Sequence, residues 1–256
     1  MNRKRLGVPA IFIGLLLISR VIGLSDEVKI GAHGGLSIPN LRGDENNVFT
    51  RGFASRQGLF FGLTADIGLA SRFSLAVGLN YTSQGGLRTG MQPITMGLPP
   101  GLPIPPGTIL YADFRNETVL DYVEIPVMAR LTFGDKLRVF VEAGPYIGYL
   151  VRARALTQGT SSFYFDEAGN QPVDTDPPVF DLGADTNVKD SLKKTNIGLV
   201  GGGGLLCPFG PGDLILEAGF QLGLTTIQKN PETDGKSQTG AVVISLGYLL
   251  PLARHK

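Results

Sequence analysis

The sequence predicts an all-β fold, an eight-stranded antiparallel up-and-down transmembrane β-barrel. Three observations lead to this prediction: apolar residues recur at every second position in eight segments, short and long connections alternate, and one face of the segments is almost free of charge. A period of two indicates strands, because successive side chains of a strand point to opposite faces of a sheet. The chain of 256 residues is long enough for one large domain of this kind.

The N-terminal segment has the layout of a secretory signal peptide. Arg3, Lys4 and Arg5 precede an apolar run from Leu6 to Ile18. This run is shorter than the roughly 20 apolar residues of a membrane-spanning helix. We therefore expect residues 1–25 to be a signal peptide and residues 26–256 to form an outer-membrane β-barrel domain.

The predicted strands are long enough to cross a bilayer. They lie near residues 27–38, 58–70, 72–84, 118–133, 137–153, 194–207, 213–227 and 238–250. Strands of globular proteins usually have about five or six residues, whereas a tilted strand that crosses a membrane needs about 9 to 11. Strand length therefore favours a membrane protein.

The connections between the strands alternate in length. Three are short turns, with the sequences ASR, GDK and PFGPG. The other four are long and cover residues 39–57, 85–117, 154–193 and 228–237. Short turns at one rim, long loops at the other and an even number of strands are the anatomy of outer-membrane barrels, whose short turns face the periplasm.

The face that we assign to lipid is apolar. Its one charged residue is Asp121, near the loop end of the fourth strand. Its larger aromatic residues lie toward the two ends of the strands, as in the interfacial girdles of barrels: Tyr81, Tyr149, Phe73, Phe133 and Tyr248. We therefore expect this face to contact outer-membrane lipid.

The opposite face is rich in glycine and carries the charges, and we expect it to fill the narrow lumen of the barrel. The predicted lumen polar network consists of Lys29, His33, Asp66, Glu124, Arg130, Arg138, Glu142 and Glu217. Arg152, Lys194 and Asp213 are placed on the same face at strand ends. Isolated buried ions are costly, so these charges should pair across the lumen and leave no wide pore.

One hairpin resembles a known family. The segment YVEIPVMARLTF, residues 122–133, and the segment RVFVEAGPYIGYLV, residues 138–151, resemble the central hairpin of the PorT-like outer-membrane β-barrel family. Members carry a similar strand with an E-I-P core and a partner strand with A-G-P. The resemblance implies an eight-stranded barrel in the cell outer membrane without assigned activity in most members, the namesake being linked to protein secretion.

Composition excludes some classes of function. Lys and Arg number 23 and Asp and Glu 22, so the net charge is +1 and nothing suggests a nucleic acid as a partner. Cys207 is the single cysteine, so no disulfide forms within the chain. The glycine run from Gly198 to Leu206 keeps strand spacing and is followed by Cys207 and Pro208, so close packing is preferred over a nucleotide-binding loop.

No catalytic, cofactor or metal site is predicted. His33 faces the lumen, where Asp66 or Glu217 would orient it, but no matching nucleophile is visible and a structural histidine is favoured. The third long loop carries many carboxylates, yet their spacing matches no standard calcium loop. The second long loop is rich in proline and favours an extended conformation, which would contact a partner or fold over the barrel mouth.

These observations predict a non-enzymatic outer-membrane barrel with a structural, binding or secretion-accessory role, and a protein partner at its external loops. One alternative is a narrow channel or a small-molecule binder. Another is a membrane enzyme around His33. A soluble, lipocalin-like barrel is the alternative at the level of the fold.

Overall fold

The computed structural model describes residues 28–94, 104–105 and 107–252. The predicted signal peptide and most of the proline-rich segment lie outside these residues. The strands are β1 (Val28–Gly43), β2 (Gly58–Gly68), β3 (Phe73–Pro93), β4 (Tyr111–Phe133), β5 (Arg138–Gln158), β6 (Thr160–Ser161), β7 (Phe180–Asp181), β8 (Ala184–Asn187), β9 (Thr195–Phe209), β10 (Gly212–Gly223) and β11 (Ser237–Pro251), and a short 3-10 turn covers Lys189–Ser191.

Eight long strands form a closed antiparallel ring in the order β1, β2, β3, β4, β5, β9, β10, β11. The ring closes where β1 pairs with β11, from Lys29 opposite Pro251 to Gly43 opposite Ser237. Each remaining pair is also antiparallel and joins neighbours along the ring. The predicted fold class is therefore confirmed, and closure leaves these strands without a free edge.

No helix among the described residues is long and apolar enough to cross a bilayer.

The three short turns lie at one end of the barrel together with both ends of the described chain. The turn between β9 and β10 needs only residues 210–211, because Gly210 adopts a positive φ of 60° that other residues rarely adopt. The long connections lie at the opposite end, which is the extracellular end in outer-membrane barrels. We call the two ends the turn end and the loop end.

Three strands extend well beyond their predicted limits. β3, β4 and β5 contain 21, 23 and 21 residues, whereas β2 and β10 contain 11 and 12. The predicted loop of residues 85–117 is therefore mostly strand, and β1 likewise continues to Gly43 inside the predicted first loop. β10 ends at Gly223, four residues before its predicted end. The alternation of apolar residues fades where strands leave the membrane, so it could not reveal this extension.

We call residues 85–93, 111–119 and 152–158 the loop-end extension. A separate apolar cluster stabilises it: Leu110, Ala112, Phe114, Phe163 and Leu182 are buried, with Phe180 packed against them. The rings of Phe163 and Phe180 stack with centroids 4.5 Å apart. The short pair β6–β7 and the strand β8, which pairs with β5, cover this cluster. The extension is thus a folded layer above the barrel.

Candidate functional site

The charges of the predicted lumen network do not form one network in the structure. Alternate residues of each strand point inward, and the inward charged side chains fall into separate groups along the barrel axis. The group nearest the turn end joins Lys29, Arg138 and Asp213. The Lys29 Nζ lies 3.1 Å from Asp213 Oδ2, and the Arg138 Nη2 lies 2.5 Å from Asp213 Oδ1. Lys29 and Arg138 therefore belong to the rim and not to the strand centres, where they were predicted.

The second group surrounds Arg130, whose exposed fraction is 1%. Its Nη1 donates a hydrogen bond of 2.7 Å to Asp66 Oδ2, and its Nε donates one of 2.7 Å to Glu142 Oε2. The guanidinium also lies 4.3 Å from the ring centroid of Phe140. Glu217 lines the same small cavity as Arg130 and Glu142.

His33 belongs to neither group. Its Nε2 lies 3.0 Å from Asn80 Oδ1, which accepts the hydrogen bond, and its ring stacks on Phe60 with centroids 5.1 Å apart. The prediction that Asp66 or Glu217 orients this histidine is wrong, because an amide takes that place. Among the described residues, the hydrogen-bond partner of the His33 ring is thus an amide and not a carboxylate.

Glu124 is buried among neutral partners. Its carboxylate accepts hydrogen bonds from Thr82 Oγ1 at 3.0 Å, Gln84 Nε2 at 2.7 Å and Gln221 Nε2 at 3.0 Å. The two glutamines also bond to each other, at 3.2 Å. In the described part of the chain, no lysine or arginine forms an ion pair with Glu124, contrary to the predicted pairing. Three donors satisfy the carboxylate instead.

The glutamines and other amides of the lumen are the site residues that the sequence search did not single out. Asn196 shows the same pattern as Glu124: its Nδ2 donates to Tyr146 Oη at 3.2 Å and to Thr239 Oγ1 at 2.8 Å, and its Oδ1 accepts from Thr225 Oγ1. All lie on the inner face by strand periodicity. Periodicity alone could have placed them there, but a search for charges passes over them.

Apolar layers close the lumen above and below the polar groups. Phe140, Leu206, Ile215 and Leu249 form a buried cluster toward the turn end. A larger buried cluster fills the loop end: Leu41, Leu120, Tyr122, Leu150, Ala153, Leu192 and Ile227. The cavity beside His33 and Arg130 has a volume of about 30 Å³, the space of one water molecule. The lumen between the two apolar clusters is therefore packed, as an eight-stranded barrel permits.

Charged residues of the long loops are used in local contacts. Asp166 accepts hydrogen bonds from the backbone N–H groups of Asn170 and Gln171, which shapes a turn. Above the barrel, Arg56 Nε donates a hydrogen bond of 2.9 Å to Glu117 Oε1. This contact lowers the pKa of the Glu117 carboxyl from its ordinary value. Among the described residues, no group of three or more His, Cys, Asp or Glu side chains is arranged to hold a metal ion.

The outer surface differs from the prediction at one place. This place is the loop end of the β4–β5 pair, where the register shifts by one residue. Asp121 pairs with Arg152, whereas Tyr122 pairs with Leu150. Val151 is the extra residue of a β-bulge, and it reverses the inward and outward positions of β5 beyond it. Arg152 is therefore 52% exposed on the outer surface, and Lys194 is exposed as well. Both had been predicted on the inner face.

The predicted lipid-facing charge has a partner as a result of this bulge. Asp121 is almost fully buried, and its Oδ2 lies 3.7 Å from the Arg152 Nη1. The one carboxylate assigned to the outer face thus has a cation beside it at the loop end.

Several solved structures resemble this chain at low sequence identity. A search of curated proteins finds no match. Among solved structures, Neisserial surface protein A is 13% identical, with a TM-score of 0.40, and the match covers 87% of this chain and 96% of that one. OprG from Pseudomonas aeruginosa is 10% identical, with a TM-score of 0.37 and coverages of 88% and 96%. The attachment invasion locus protein Ail of Yersinia pestis is 9% identical, with a TM-score of 0.38 and coverages of 88% and 99%.

A family model gives the assignment. The model described as "Outer membrane protein beta-barrel domain" matches residues 20–229, which is most of the chain. Its match agrees with the closed ring of eight antiparallel strands. The chain therefore belongs to the outer membrane β-barrel domain family and resides in the cell outer membrane.

Proposed function

We propose that this protein is a non-enzymatic outer-membrane barrel that displays its loop-end extension to a protein partner. In this role the barrel is a closed anchor, and the extension is the binding part. A secretion-accessory role of the PorT-like kind fits within this proposal. The observation that carries it is the length of β3, β4 and β5, which continue about ten residues beyond the length that a bilayer requires.

Exposed apolar side chains on the extracellular layer support a protein partner. Ile109, Phe165 and Val179 are exposed, Val179 by 68%, although they lie beside the buried cluster of the extension and away from the lipid-facing band. Apolar side chains that face water above the membrane gain free energy when a partner covers them. The acidic and polar residues around them would form the rim of such an interface.

The packed lumen argues against the channel alternative. Two apolar clusters and the polar side chains between them fill the central part of the lumen. The cavity beside Arg130 has room for about one water molecule. A filled eight-stranded lumen predicts neither solute flux nor stable current steps in a planar bilayer. The surroundings of His33 likewise support a structural role for this residue.

Site-specific photo-crosslinking in intact cells tests the proposal. A photoreactive residue at Val179, in the extracellular layer, should give a discrete crosslinked protein band. The same residue at Leu246, which is exposed on the lipid-facing surface, is the matched control and should give none. A result in which Val179 crosslinks no protein above the level of Leu246 would contradict display to a partner.

A further inference from the structure

We propose that the barrel binds the phosphate groups of an outer-leaflet lipid at a basic patch beside the bulge at Val151. The basic patch consists of Arg152, Lys189, Lys193, Lys194 and Lys229. It lies on the outer surface where β5 meets β9 and the segments that flank β9. The ligand class is a phosphorylated glycolipid, with its acyl chains on the apolar surface of the barrel and its phosphates on the cations.

The bulge creates the patch. Leu150 and Ala153 are both buried, so the two residues between them, Val151 and Arg152, both face outward. A regular strand would have turned Arg152 into the lumen. Bulges re-aim side chains in this way and are found at the rims of barrels.

The other cations converge on the same place. The Lys189 Nζ donates a hydrogen bond of 2.9 Å to the Val151 carbonyl oxygen, and the Leu150 N–H donates one of 2.7 Å to the Lys194 carbonyl oxygen. Lys193 precedes Lys194, and its N–H donates a hydrogen bond to the Ile227 carbonyl oxygen on the opposite side of the chain. The Lys229 Nζ donates to the Asp190 carbonyl oxygen at 2.5 Å.

The patch lies at the height of lipid headgroups. Tyr149, an outward aromatic residue of the loop-end girdle, pairs with Thr195, and Arg152 comes three residues beyond it. At about 3.3 Å per residue, this places Arg152, and Lys193 and Lys194 just before Thr195, within about 10 Å above the girdle. Below the patch, Ile197 and Leu224 are exposed and apolar, as lipid-facing residues are. At this height the phosphates of lipid headgroups lie beside the barrel, with the acyl chains on the apolar residues below. We therefore expect the bound phosphate to belong to a lipid.

The protein does not fully neutralise the charge of the patch. Asp121 pairs with Arg152, Asp190 follows Lys189, and Glu232 and Asp234 lie in the loop after Lys229, which leaves five cations against four carboxylates. Asp185 is occupied by Arg154. The side chains of Lys193 and Lys194 make no hydrogen bond or ion pair within the described part of the chain, so both are available to a ligand. Next to the low-dielectric bilayer their attraction for phosphate is stronger than in bulk water.

Native mass spectrometry of the folded full-length protein in detergent micelles tests this inference, with diphosphoryl lipid A as the probe. The variant Lys193→Gln/Lys194→Gln should raise the dissociation constant about tenfold, because each lysine near a membrane surface contributes appreciably to anion binding. The variant Arg72→Gln/Lys136→Gln, which removes two exposed cations at the turn end, is the matched control and should leave the dissociation constant unchanged.

Three outcomes would overturn the proposal. The first is an unchanged dissociation constant in Lys193→Gln/Lys194→Gln, and the second is an equal loss in the control variant. Inorganic pyrophosphate supplies the third: if it displaced lipid A at equal concentration, the patch would be a site for a soluble anion and not for a lipid. The expected result is that pyrophosphate at that concentration displaces none. The side chains of Lys193 and Lys194 make no hydrogen bond or ion pair among the described residues, so their replacement should leave folding intact. A heat-shift gel, in which the folded barrel and the heat-denatured chain migrate differently, verifies this.

Discussion

At the scale of single residues, Arg130 has the most demanding position in the lumen. It is almost fully buried, and it satisfies Asp66 and Glu142 on two different strands while it covers the Phe140 ring. Removal of one partner from a buried ion pair leaves an uncompensated charge, which is more costly than the absence of the whole pair. Arg130 therefore determines whether β2, β4 and β5 can pack around the polar lumen.

We expect Arg130→Met to lower the free energy of unfolding by about 3 to 5 kcal/mol, because it leaves Asp66 and Glu142 buried without a cation. Urea unfolding in phospholipid vesicles measures this quantity. Arg138→Met is the matched control, since Lys29 still pairs with Asp213 at the partly exposed rim. The control should lose no more than about 1 kcal/mol. Equal losses in the two variants would mean that the Arg130 group does not stabilise the barrel.

Sequence periodicity located the lumen residues but not their partners. It placed Glu124, Arg130 and Glu142 on the inner face, where the structure has them. It could not tell that Glu124 is held by Gln84 and Gln221, because cross-lumen contacts depend on how the strands are staggered around the ring. That stagger is a property of the closed barrel and not of any one strand.

At the scale of elements, the glycines of β9 permit the close packing of the lumen. A Cβ added at Gly204 would lie 2.1 Å from the Leu216 carbonyl oxygen and 2.8 Å from the Phe140 ring. Gly204 faces Phe140 on β5 and Glu217 on β10. The glycine therefore makes room for the aromatic ring that closes the turn end of the lumen.

We predict that Gly204→Ala impairs assembly of the barrel, because neither the backbone of β10 nor the packed Phe140 ring can move away without cost. Overpacking of this kind costs about 1 to 3 kcal/mol. The folded fraction in detergent, read from the heat-shift gel, measures the effect. Gly34→Ala is the control, since its nearest neighbour, the Phe61 Cβ, is 3.9 Å away and the residue faces outward. Normal assembly of Gly204→Ala would show that the lumen tolerates added volume there.

Elements were predictable where the membrane imposes a pattern, and less so beyond it. Within the bilayer, lipid on one side and a packed lumen on the other enforce strict alternation, and the eight strands were found there. The β3–β4–β5 extension carries Thr89, Asn116 and other polar residues on strands that water surrounds, so alternation no longer distinguishes strand from loop. The bulge at Val151 depends on the pairing of β5 with two neighbours, which no single segment reveals.

At the scale of the whole molecule, the polarity of a soluble barrel is reversed. Apolar side chains such as Leu63, Leu246 and Phe220 are exposed around the outside, whereas Arg130, Glu124 and Glu142 are buried inside. In water such an exterior would be a very large exposed apolar patch, which soluble monomers avoid. In a bilayer the same surface is solvated by lipid, and the closed ring satisfies the hydrogen bonds of the strands.

The most direct measurement of lipid facing compares two arginine substitutions at equally exposed apolar positions. Ile244 is 48% exposed in the middle of β11, four residues from the girdle residue Tyr248, and Leu137 is 53% exposed in the turn before β5. Free energies of unfolding in phospholipid vesicles give the cost of each change. We predict a loss of about 2 to 4 kcal/mol for Ile244→Arg and of at most about 1 kcal/mol for Leu137→Arg, because the cost of a lipid-facing arginine depends on depth. Equal and small losses at both positions would contradict a barrel whose outer face contacts lipid.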